Sequence, residues 1–585
     1  MEKTQINIEK GQYLKDILQE IPTNTILAKT VPGCGATTLE IESQRNSIII
    51  VPNIPVIHSK CEKHGYLFGV FEGVSVQDIT LYLKGGQLYK KIMTTPESFQ
   101  KVKMAFEECG IDMFSDYFCL MDECHKLVKD VDYRSDIVLP MIDFFEFKGK
   151  ALVSATPLEL SDPKFEKQEF QTLEVVPKYD YWHDIFILHV NDIYTELEGL
   201  LKVMKSTTFF FINSVDLISS IIQQAEIEKE SSVFCSPKSR VKMVGEYNFN
   251  NVYTKWSPEF ARKFNFFTER FYNAFDLEWD EKPDVYIITD VFKAEYTMVD
   301  IFTDCIQIVG RFRNGVGDVY HFFNTNTNIE SITKEQAEKE VFAHQKAYEI
   351  IKTYYNNANS IEERRAFGEA LQSLPFNKML FPSGAINYFA IDNWVNEKLV
   401  RSNYNEGKKI FSAYFSCPNF HPYYNYDYYP LTDVMKLKML KSSMSVKKKR
   451  EIYVDILKSL PKPYSEYDYN TITEIRKNDP LIVEAFEKLG VEKIEELKFS
   501  EKKMKEALIL VSRKSNKTIQ MVKNSFKTGY KYSNEAIVKE LTRIYAELGI
   551  HPDKIIKGSM ILDYFNASPA KVKGDRGYYL IDEKV

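Results

Sequence analysis

The sequence predicts an α/β protein with two tandem doubly wound parallel-sheet domains, followed by a mostly α-helical C-terminal region. Short, uniformly apolar runs such as residues 25–28 and 47–51 alternate with polar, helix-like stretches, a pattern typical of strands that are buried on both faces of a parallel sheet. The same alternation begins again after residue 200. Because 585 residues exceed what one hydrophobic core can hold, several domains are expected.

Composition and charge limit the classes of protein to which the chain can belong. It is 44% hydrophobic and 27% charged, which excludes a collagen, a coiled-coil rod and bulk disorder. The net charge of -6 excludes a uniformly basic nucleic-acid coat but leaves room for local basic segments. The eight cysteines are scattered without a C-x-x-C pair, and no apolar run approaches the roughly 18–20 residues that span a bilayer. We therefore expect a reduced, soluble, cytoplasmic protein.

The predicted strands fall into two groups that define the first two domains. The first group is 25–28, 47–51, 117–121 and 151–154, and the second is 207–212, 232–235, 265–267, 284–288 and 319–323. Because each group alternates with helix-like segments, we place one parallel-sheet domain at 1–175 and another at 176–330. Helical periodicity follows over 335–355 and 361–374.

Beyond residue 330 the sequence is mostly helix-like and rich in lysine and tyrosine. We expect a helical accessory region over 331–530 and a small C-terminal module, similar to a winged helix, over 531–585. Residues 422–430 are interpreted as an aromatic loop whose tyrosines pack between domains or stack on bases. Basic segments at 436–450 and 498–531 form either a track for nucleic acid or a solvated helix face.

A glycine-containing loop separates the predicted strand at 25–28 from the helix-like segment that follows it. Glycines here let backbone N–H groups turn inward, where they cradle a phosphate. A hydroxyl at Thr37 has the position of the threonine that binds Mg²⁺ in phosphate-binding loops. The alternative is an ordinary glycine-rich turn, because such loops carry a lysine where this chain has Ala36. The candidate ATP-binding residues are Lys29, Gly33, Cys34, Gly35, Ala36, Thr37 and Thr38.

An Asp-Glu pair ends the apolar run at 117–121. Asp122 in this position is suited to hold Mg²⁺ together with Thr37. Glu123 is suited to orient and deprotonate the water that attacks a phosphate. The alternative is an acidic turn with no catalytic role.

Two arginines and a glutamine occur close together near the end of the second domain, in the sequence QIVGRFR at 307–313. Arginine is scarce in this chain, with 15 among 76 basic residues. An arginine from a second lobe stabilises the charge that spreads over a γ-phosphate during hydrolysis, whereas the alternative is a pair of surface arginines. The candidate catalytic residues are therefore Asp122, Glu123, Gln307, Arg311 and Arg313.

In their order along the chain, these segments resemble the motifs of superfamily 2 helicases of the DEAD/DEAH-like kind. GCGATT at 33–38 resembles motif I, IVPN at 50–53 motif Ia, and TTPES at 94–98 the TPxx motif. DECH at 122–125 resembles motif II, SAT at 154–156 motif III, FFFINS at 209–214 motif IV, and QIVGRFR at 307–313 motif VI. Thr268, Ala274 and Asp276 keep the spacing of motif V. The resemblance covers about 10–330 and implies two RecA-like domains. A narrower resemblance is to helicases encoded by phages of Bacteroidetes, including crAss-like phages.

The resemblance implies roles for further residues. Contacts to the backbone of nucleic acid would come from both domains, because hydroxyl and amide groups suit phosphate contact that is independent of sequence. These contacts are implied for Asn53, Thr94, Thr95, Glu97, Asn213 and Thr268. Residues that couple the nucleotide site to the strand are implied to be His125, Ser154, Thr156 and Asp276.

The chain also departs from the family pattern. Ala36 replaces the motif I lysine that neutralises the β- and γ-phosphates, and Lys29 is a candidate substitute because its long stem can reach the same phosphates. In motif VI, Arg313 comes one residue earlier than the family's second arginine, where this chain has Asn314. Which arginine meets the γ-phosphate is therefore left open.

The resemblance implies an ATP-dependent helicase or translocase that uses ATP and Mg²⁺ and acts on single-stranded or duplex nucleic acid, with DNA favoured. A role in phage DNA replication or recombination, replication proteins as partners and a place in the cytoplasm of a bacterial host are implied with it. The alternative is a helicase-fold scaffold that binds nucleic acid with little or no ATPase activity because of Ala36.

Overall fold

The computed structural model describes residues 2–272, 277–427, 445–460, 466–513, 515–550 and 556–584. The chain forms two compact units, 1–428 and 429–585. The first unit contains two eight-stranded sheets, which we call lobe one and lobe two, together with the helices that accompany them. The α/β fold class with tandem RecA-like domains and a helical C-terminal region is confirmed by this arrangement.

Lobe one is built on a sheet in which all paired strands are parallel. Its strands are β1 (Lys3–Ile8), β2 (Thr25–Ala28), β3 (Ser47–Ile50), β4 (Leu67–Val70), β5 (Lys91–Thr94), β6 (Phe118–Asp122), β7 (Gly149–Ser154) and β8 (Gln171–Pro177). They lie in the order β1-β8-β2-β7-β6-β3-β5-β4. The helices are α1 (Ala36–Glu42), α2 (Ile54–Lys63), α3 (Val76–Leu83), α4 (Phe99–Cys109), α5 (Met113–Asp116), α6 (His125–Lys129), α7 (Pro140–Phe144) and α8 (Pro163–Lys167).

The central strands of lobe one are apolar throughout because both faces of the sheet are buried. Ile48 and Ile50 of β3 enter one hydrophobic core, whereas Ile49 between them enters another on the opposite face. Successive side chains of a strand point to opposite faces, so a strand covered on both sides needs an apolar residue at every position. This explains why the four predicted strands of this lobe coincide with β2, β3, β6 and β7.

Lobe two repeats the architecture with a second sheet of parallel pairs. Its strands are β9 (His183–Val190), β10 (Thr208–Phe211), β11 (Ser231–Phe234), β12 (Val252–Tyr253), β13 (Phe264–Phe267), β14 (Val285–Thr289), β15 (Val319–Phe323) and β16 (Phe420–Asp427). The order is β12-β11-β13-β10-β14-β15-β9-β16. The helices within this lobe are α9 (Ile193–Val203), α10 (Val215–Gln224), α11 (Pro237–Gly245) and α12 (Ile306–Val309).

The interpretation of 422–430 as a loop is corrected for its first six residues. Residues 422–427 belong to β16, which pairs in parallel with β9 at the edge of the second sheet. Pro422 is compatible with an edge strand, where a missing N–H costs no ladder bond on the open side. Tyr423 stacks on Phe186 of β9, with ring centroids 5.3 Å apart, and is 46% exposed. Residues 428–430 lie outside the described residues.

Four helices separate β15 from β16 in the first unit. They are α13 (Lys334–Asn356), α14 (Ile361–Ser373), α15 (Tyr388–Asn403) and α16 (Gly407–Ser416). α13 begins with a capping box, in which the Thr333 hydroxyl accepts from the Gln336 N–H and the Gln336 side chain accepts from the Thr333 N–H. Buried tyrosines of α16 and the end of α15, Tyr414 and Tyr404, enter the core of lobe two. The helices predicted at 335–355 and 361–374 correspond to α13 and α14.

The second unit is mostly helical and ends in a small sheet. Its helices are α17 (Val446–Ser459), α18 (Glu466–Asn478), α19 (Pro480–Leu489), α20 (Val491–Glu496), α21 (Glu501–Arg513), α22 (Asn516–Ser525) and α23 (Asn534–Glu547). The strands β17 (Lys531–Ser533), β18 (Phe565–Val572) and β19 (Asp575–Glu583) pair antiparallel in the order β17-β19-β18. Within the described residues of the whole chain, no helix is both long and apolar enough to cross a membrane.

Candidate nucleotide site at the lobe interface

The glycine loop follows β2 and leads into α1, as the sequence predicted. Gly33 and Gly35 have φ values of 87° and 89°, a left-handed conformation that residues with a Cβ rarely adopt. The ring of Tyr13 lies against Gly35, because a Cβ on that glycine would meet Tyr13 Cδ1 at 3.3 Å. The next residue also contacts the loop, because the backbone N–H of Leu14 donates a 3.0 Å hydrogen bond to Cys34 O. The segment before β2, which contains Tyr13 and Leu14, therefore holds the glycine loop in place.

The loop brings Thr37 to the acidic end of β6. Thr37 Oγ1 donates a 2.5 Å hydrogen bond to Asp122 Oδ2. A hydroxyl and a carboxylate at this separation offer the hard oxygen ligands that Mg²⁺ prefers. Thr37 and Asp122 are therefore the residues that would hold Mg²⁺ in this cleft. Thr38, the next residue, accepts a 2.8 Å hydrogen bond from Lys60 Nζ through its hydroxyl.

Lys29 supplies positive charge inside the same cleft. It follows β2 directly, and its N–H donates to Ser154 O at the end of β7, 2.8 Å away. Its Nζ lies 3.3 Å from Glu123 Oε1 and 3.6 Å from Asp122 Oδ1. Burial opposes the charge on Lys29, but Glu123 and Asp122 outweigh it, so the pKa of this amine lies above its ordinary value. The lysine is therefore ionised and held by the two acids.

Glu123 has an unusual backbone and an open carboxylate oxygen. Its φ is 51°, a left-handed conformation that is uncommon for a residue with a side chain and is often found at functional sites. Oε1 pairs with Lys29, whereas buried Oε2 has no hydrogen-bond partner among the described residues and lies 3.4 Å from His125 Nδ1. Burial raises the pKa of this carboxyl, but the charges of Lys29 and Arg311 outweigh burial and hold the pKa below its ordinary value. The site therefore holds an ionised carboxylate with one oxygen available as an acceptor.

A hydrogen-bonded path runs from β6 to the second lobe. His125 Nδ1 shares a 2.9 Å hydrogen bond with Ser154 Oγ, and the same Oγ accepts from the Thr156 N–H at 2.9 Å. Gln307 Nε2, in lobe two, donates to Thr156 Oγ1 at 3.0 Å. Gln307 Oε1 accepts in turn from Arg311 Nη2. Burial lowers the pKa of His125 to about 4, so the imidazole at the start of the path is neutral near pH 7.

The two arginines that follow α12, Arg311 and Arg313, occupy different places. Arg311 is 6% exposed, and its Nη2 is bonded to Gln307. Arg313 reaches the glycine loop of lobe one, because a Cβ on Gly33 would collide with Arg313 Nη1. Gly310 lies against Pro32 of the same loop, where a Cβ would overlap the proline ring. The end of α12 therefore packs directly on the phosphate-binding loop.

Cys34 and Ala36 complete the loop without offering charge. Both are buried, at 5% and 2% exposure. Burial raises the pKa of the Cys34 thiol to about 11, although Lys29 opposes the shift, so the thiol is protonated near neutral pH. Ala36 is the first residue of α1 and cannot reach a phosphate with a side chain.

The residues implied for nucleic-acid contact differ in exposure and in partners. Asn53 precedes α2 with its side chain partly exposed, and Thr95 is 4% exposed. Thr94 is fully buried and donates its hydroxyl to Thr95 O, so its side chain does not line a surface in this structure. Glu97 is held by Arg134, with Nε at 2.6 Å and Nη2 at 3.0 Å from its oxygens.

The corresponding residues of lobe two are tied to their own lobe. Asn213 Nδ2 donates to Glu269 Oε2 at 2.7 Å and to Tyr296 O at 2.9 Å. Thr268 donates to Phe234 O at 3.4 Å. Asp276, implied as a coupling residue, and Ala274 of the same motif lie outside the described residues.

Several residues that shape the site were not singled out in the sequence. Tyr13 and Arg134 are examples, since nothing in a single sequence connects them with Gly35 and Glu97. A further contact crosses the lobe interface, where Lys129 of α6 lies 2.7 Å from Asp304. The pair is separated by 175 positions, so no local pattern could have found it.

The sequence matches no protein-family model and no curated protein. Among solved structures, the chain is similar to S. cerevisiae Dbp5 bound to RNA and ADP BeF3, at 14% identity over 53% of this chain and 81% of that chain, with a TM-score of 0.33. It is also similar to a DEAD box protein from the hyperthermophile Methanococcus jannaschii, at 12% identity over 52% and 87%, with a TM-score of 0.28. RecG bound to a three-way DNA junction matches at 12% identity over 56% and 42%, with a TM-score of 0.31. Because these TM-scores are low, the fold assignment rests on the two parallel sheets of the chain itself.

Proposed function

We propose that the two lobes form an ATP-dependent superfamily 2 helicase or translocase acting on nucleic acid. The observation that carries the proposal is the path from His125 through Ser154 and Thr156 to Gln307, which joins the acidic end of β6 to the arginines of lobe two. A motor needs such a connection, because nucleotide hydrolysis in one lobe must be linked to the position of the other.

The glycine loop and the residues around it would bind the triphosphate. Lys29 carries the charge that Ala36 lacks and would leave the carboxylates of Asp122 and Glu123 for the phosphates. Thr37 and Asp122 would hold Mg²⁺, which neutralises phosphate charge when it is bound. The observation that supports this set is the convergence of a lysine from the end of β2, a hydroxyl from the first turn of α1 and two carboxylates from the end of β6.

Hydrolysis would use Glu123 and the two arginines. Glu123 Oε2 would accept a proton from the attacking water while the bond between the γ-phosphorus and the bridging oxygen breaks, giving ADP and phosphate. Arg313, which reaches Gly33, is proposed to contact the phosphates. Arg311, bonded to Gln307 and electrostatically coupled to Glu123, is proposed to link that contact to the path across the lobes.

Nucleic acid is proposed to lie across both lobes, at Asn53 and Thr95 on one side and Asn213 and Thr268 on the other. In this structure Asn213 is bonded to Glu269, so binding of a phosphate would require that contact to be exchanged. DNA is the proposed strand, and a phage replication or recombination complex is the proposed setting, both on the resemblance of the motifs. Cytoplasmic location and replication proteins as partners belong to the same proposal.

The C-terminal module is proposed as an accessory nucleic-acid contact. The order β17-β19-β18, with α22 before β17 and α23 after it, supports the comparison of this module with a winged helix. The hairpin of β18 and β19 exposes Lys571, Lys573 and Arg576 around its turn. Exposed basic side chains on a projecting hairpin suit contact with a phosphate backbone. Replacing these three residues by glutamine should flatten the dependence of strand affinity on salt, by about 0.7–0.9 in the logarithmic slope for each lost phosphate contact.

The proposed motor is tested by steady-state ATP hydrolysis with and without single-stranded DNA or RNA. We expect strand-stimulated turnover in the wild type and its loss in Glu123→Gln, which keeps the shape of the side chain but cannot accept the proton. Glu107→Gln, at an exposed position of α4, is the matched control and should retain turnover. Turnover in Glu123→Gln equal to that of the wild type would refute the assigned role of Glu123.

A second candidate function is a helicase-fold scaffold that binds nucleic acid with little ATPase activity. Ala36 favours it, because a phosphate-binding loop without its lysine loses charge at the β- and γ-phosphates. The largely buried cluster of Lys29, Asp122 and Glu123 argues against it, because desolvated charged side chains are costly to keep in a site without use. Tight strand binding with no turnover in the wild type would favour the scaffold.

A further inference from the structure

Lys129 joins the two lobes through a buried ion pair. It ends α6 of lobe one, and its Nζ lies 2.7 Å from Asp304 Oδ2 of lobe two. The same amine donates a 3.0 Å hydrogen bond to Thr303 Oγ1 and lies 3.9 Å from Asp300 Oδ2. The side chains of Lys129 and Asp304 are only 13% and 10% exposed, so the pair is largely removed from water.

The surroundings fix the acidic partner and favour a charged lysine. Asp304 Oδ2 also accepts a 3.0 Å hydrogen bond from the Asp300 N–H, which orients the carboxylate. Burial opposes the charge on Lys129, but Asp304 and Asp300 outweigh it, and the pKa of the amine lies above its ordinary value. Burial raises the pKa of Asp300 and of the nearby Glu269. Lys129 is therefore a cation surrounded by the buried carboxyl groups of Asp304, Asp300 and Glu269.

The pair lies between the two catalytic segments. Lys129 is four residues beyond His125, where the hydrogen-bonded path begins. Asp304 belongs to a π-helical turn, Ile301–Cys305, that continues directly into α12 and Gln307. Besides the packing of its end on the glycine loop, α12 is attached to lobe one by the hydrogen bond from Gln307 to Thr156 and by the ion pair just before its first residue.

We propose that Lys129 is a positioning residue that sets α12, and with it Arg311 and Arg313, against the nucleotide when the lobes are together. The inference rests on the proposed function of the cleft. Opening the lobes separates Lys129 from Asp304, so the pair stabilises the closed arrangement selectively. Removing one partner leaves the other charge buried without compensation, which shifts the lobes toward the open arrangement.

The test compares Lys129→Met and Asp304→Asn with the wild type in the full chain. Methionine keeps the length of the stem and removes the charge, and Lys129→Arg retains the charge as a conservative variant. Lys103→Met is the matched control, because Lys103 forms a 2.8 Å pair with Asp143 inside lobe one. Lobe closure is followed by energy transfer between dyes at Leu81→Cys and Val241→Cys, two exposed positions in different lobes, after Cys61 and Cys109 are changed to serine.

We expect Lys129→Met to lower strand-stimulated kcat by about 10- to 100-fold and to reduce the closed fraction, while the Kd of a fluorescent ATP analogue changes by less than about 3-fold. Asp304→Asn should do the same, and the double variant should be no worse than the more damaging single one, because the two residues act as a unit. Lys129→Arg should recover part of the closed fraction, and Lys103→Met should match the wild type.

The proposal is overturned if Lys129→Met closes and turns over like Lys103→Met, or if the two single losses simply add. It is also overturned if Lys129→Met lowers ATP affinity, closure and thermal stability together, which would indicate a general structural role. The closed fraction is measured with a non-hydrolysable ATP analogue, so it does not depend on turnover. If the wild type never hydrolyses ATP, the proposed function is refuted. If Lys129→Met nevertheless has a smaller closed fraction than the wild type, the positioning role of Lys129 remains intact.

Discussion

Lys29 and Glu123 face each other across the candidate cleft, with Nζ 3.3 Å from Oε1. The two residues come from the ends of β2 and β6, the two strands that flank β7 in the sheet. The cation of the cleft thus lies seven positions before Ala36, where phosphate-binding loops carry lysine. Because an amine on a four-carbon stem can change partners, incoming phosphates would compete with the carboxylates for it.

Replacing Lys29 by alanine should remove that charge and leave Asp122 and Glu123 without their cation. We expect kcat/KM for strand-stimulated ATP hydrolysis to fall by about 10²- to 10³-fold, the range typical for loss of one group that stabilises developing negative charge. The control is Lys15→Ala, since Lys15 is 46% exposed and pairs with Glu42 away from the acids of β6. If Lys29→Ala hydrolyses ATP within about 3-fold of the wild type, Lys29 is not the substitute for the missing lysine.

Thr37→Val should weaken the response to Mg²⁺ without a large change in packing, because valine has nearly the shape of threonine. The variant loses the hydroxyl that lies 2.5 Å from Asp122 Oδ2. We expect the Mg²⁺ concentration for half-maximal turnover to rise by about 10- to 100-fold, as is typical when a metal site loses one supporting group. Thr37→Ser keeps the hydroxyl and should stay near the wild type. Equal Mg²⁺ titrations for the valine and serine variants would contradict the assignment.

The sequence identified the strands whose two faces are both buried, because these strands are apolar at every position. β2, β3, β6 and β7 are of this kind, and their carboxyl ends carry the residues that the structure brings together in the cleft. Strands nearer the sheet edges were missed, as β8 shows: its exposed and buried residues alternate, so it lacks a continuous apolar run.

The contacts between the lobes could not be predicted from the sequence. The path from Thr156 to Gln307 spans 151 positions, and nothing in the local sequence around either residue indicates the other as its partner. Lys129 and Asp304 belong to no motif, and a lysine next to an acidic turn is an ordinary surface pattern. Only the fold brings them within hydrogen-bonding distance and buries them.

Gly310→Ala should hinder the close approach of the two lobes. Gly310 has φ of -68°, which alanine adopts freely, so the backbone of lobe two should be unaffected. The added Cβ would overlap the ring of Pro32 in the glycine loop. We expect a smaller closed fraction by energy transfer and a reduction of kcat by about 10-fold or more.

Gly199→Ala is the control for this variant, because no atom outside the local backbone of α9 and the two adjacent residues lies within 4 Å of the position of its Cβ. It should retain closure and turnover and become slightly more stable, as alanine favours helix. A Gly310→Ala variant with wild-type closure would mean that Pro32 moves aside and that the contact does not limit the approach of the lobes.

Asp392→Asn should make the protein more stable at neutral pH but not at pH 4. Asp392 of α15 accepts a 3.0 Å hydrogen bond from the Ser161 N–H, and burial is the main cause that raises its pKa from 3.8 to about 6. The folded state therefore holds this proton more tightly than the unfolded chain does. The contribution of Asp392 to the free energy of unfolding therefore falls as the pH rises from about 4 to about 6, and it stays lower above that range.

Asparagine keeps the acceptor for Ser161 and has no charge to desolvate. Because one pKa unit corresponds to about 1.4 kcal/mol, the gain at pH 7.5 is at most about 3 kcal/mol, and we expect about 1–2 kcal/mol. The measurement is the difference in Tm between Asp392→Asn and the wild type at pH 4 and at pH 7.5. Asp132→Asn, at an exposed position, is the control and should give no pH-dependent difference. A constant difference at both pH values for Asp392→Asn would show that the carboxyl does not titrate in this range.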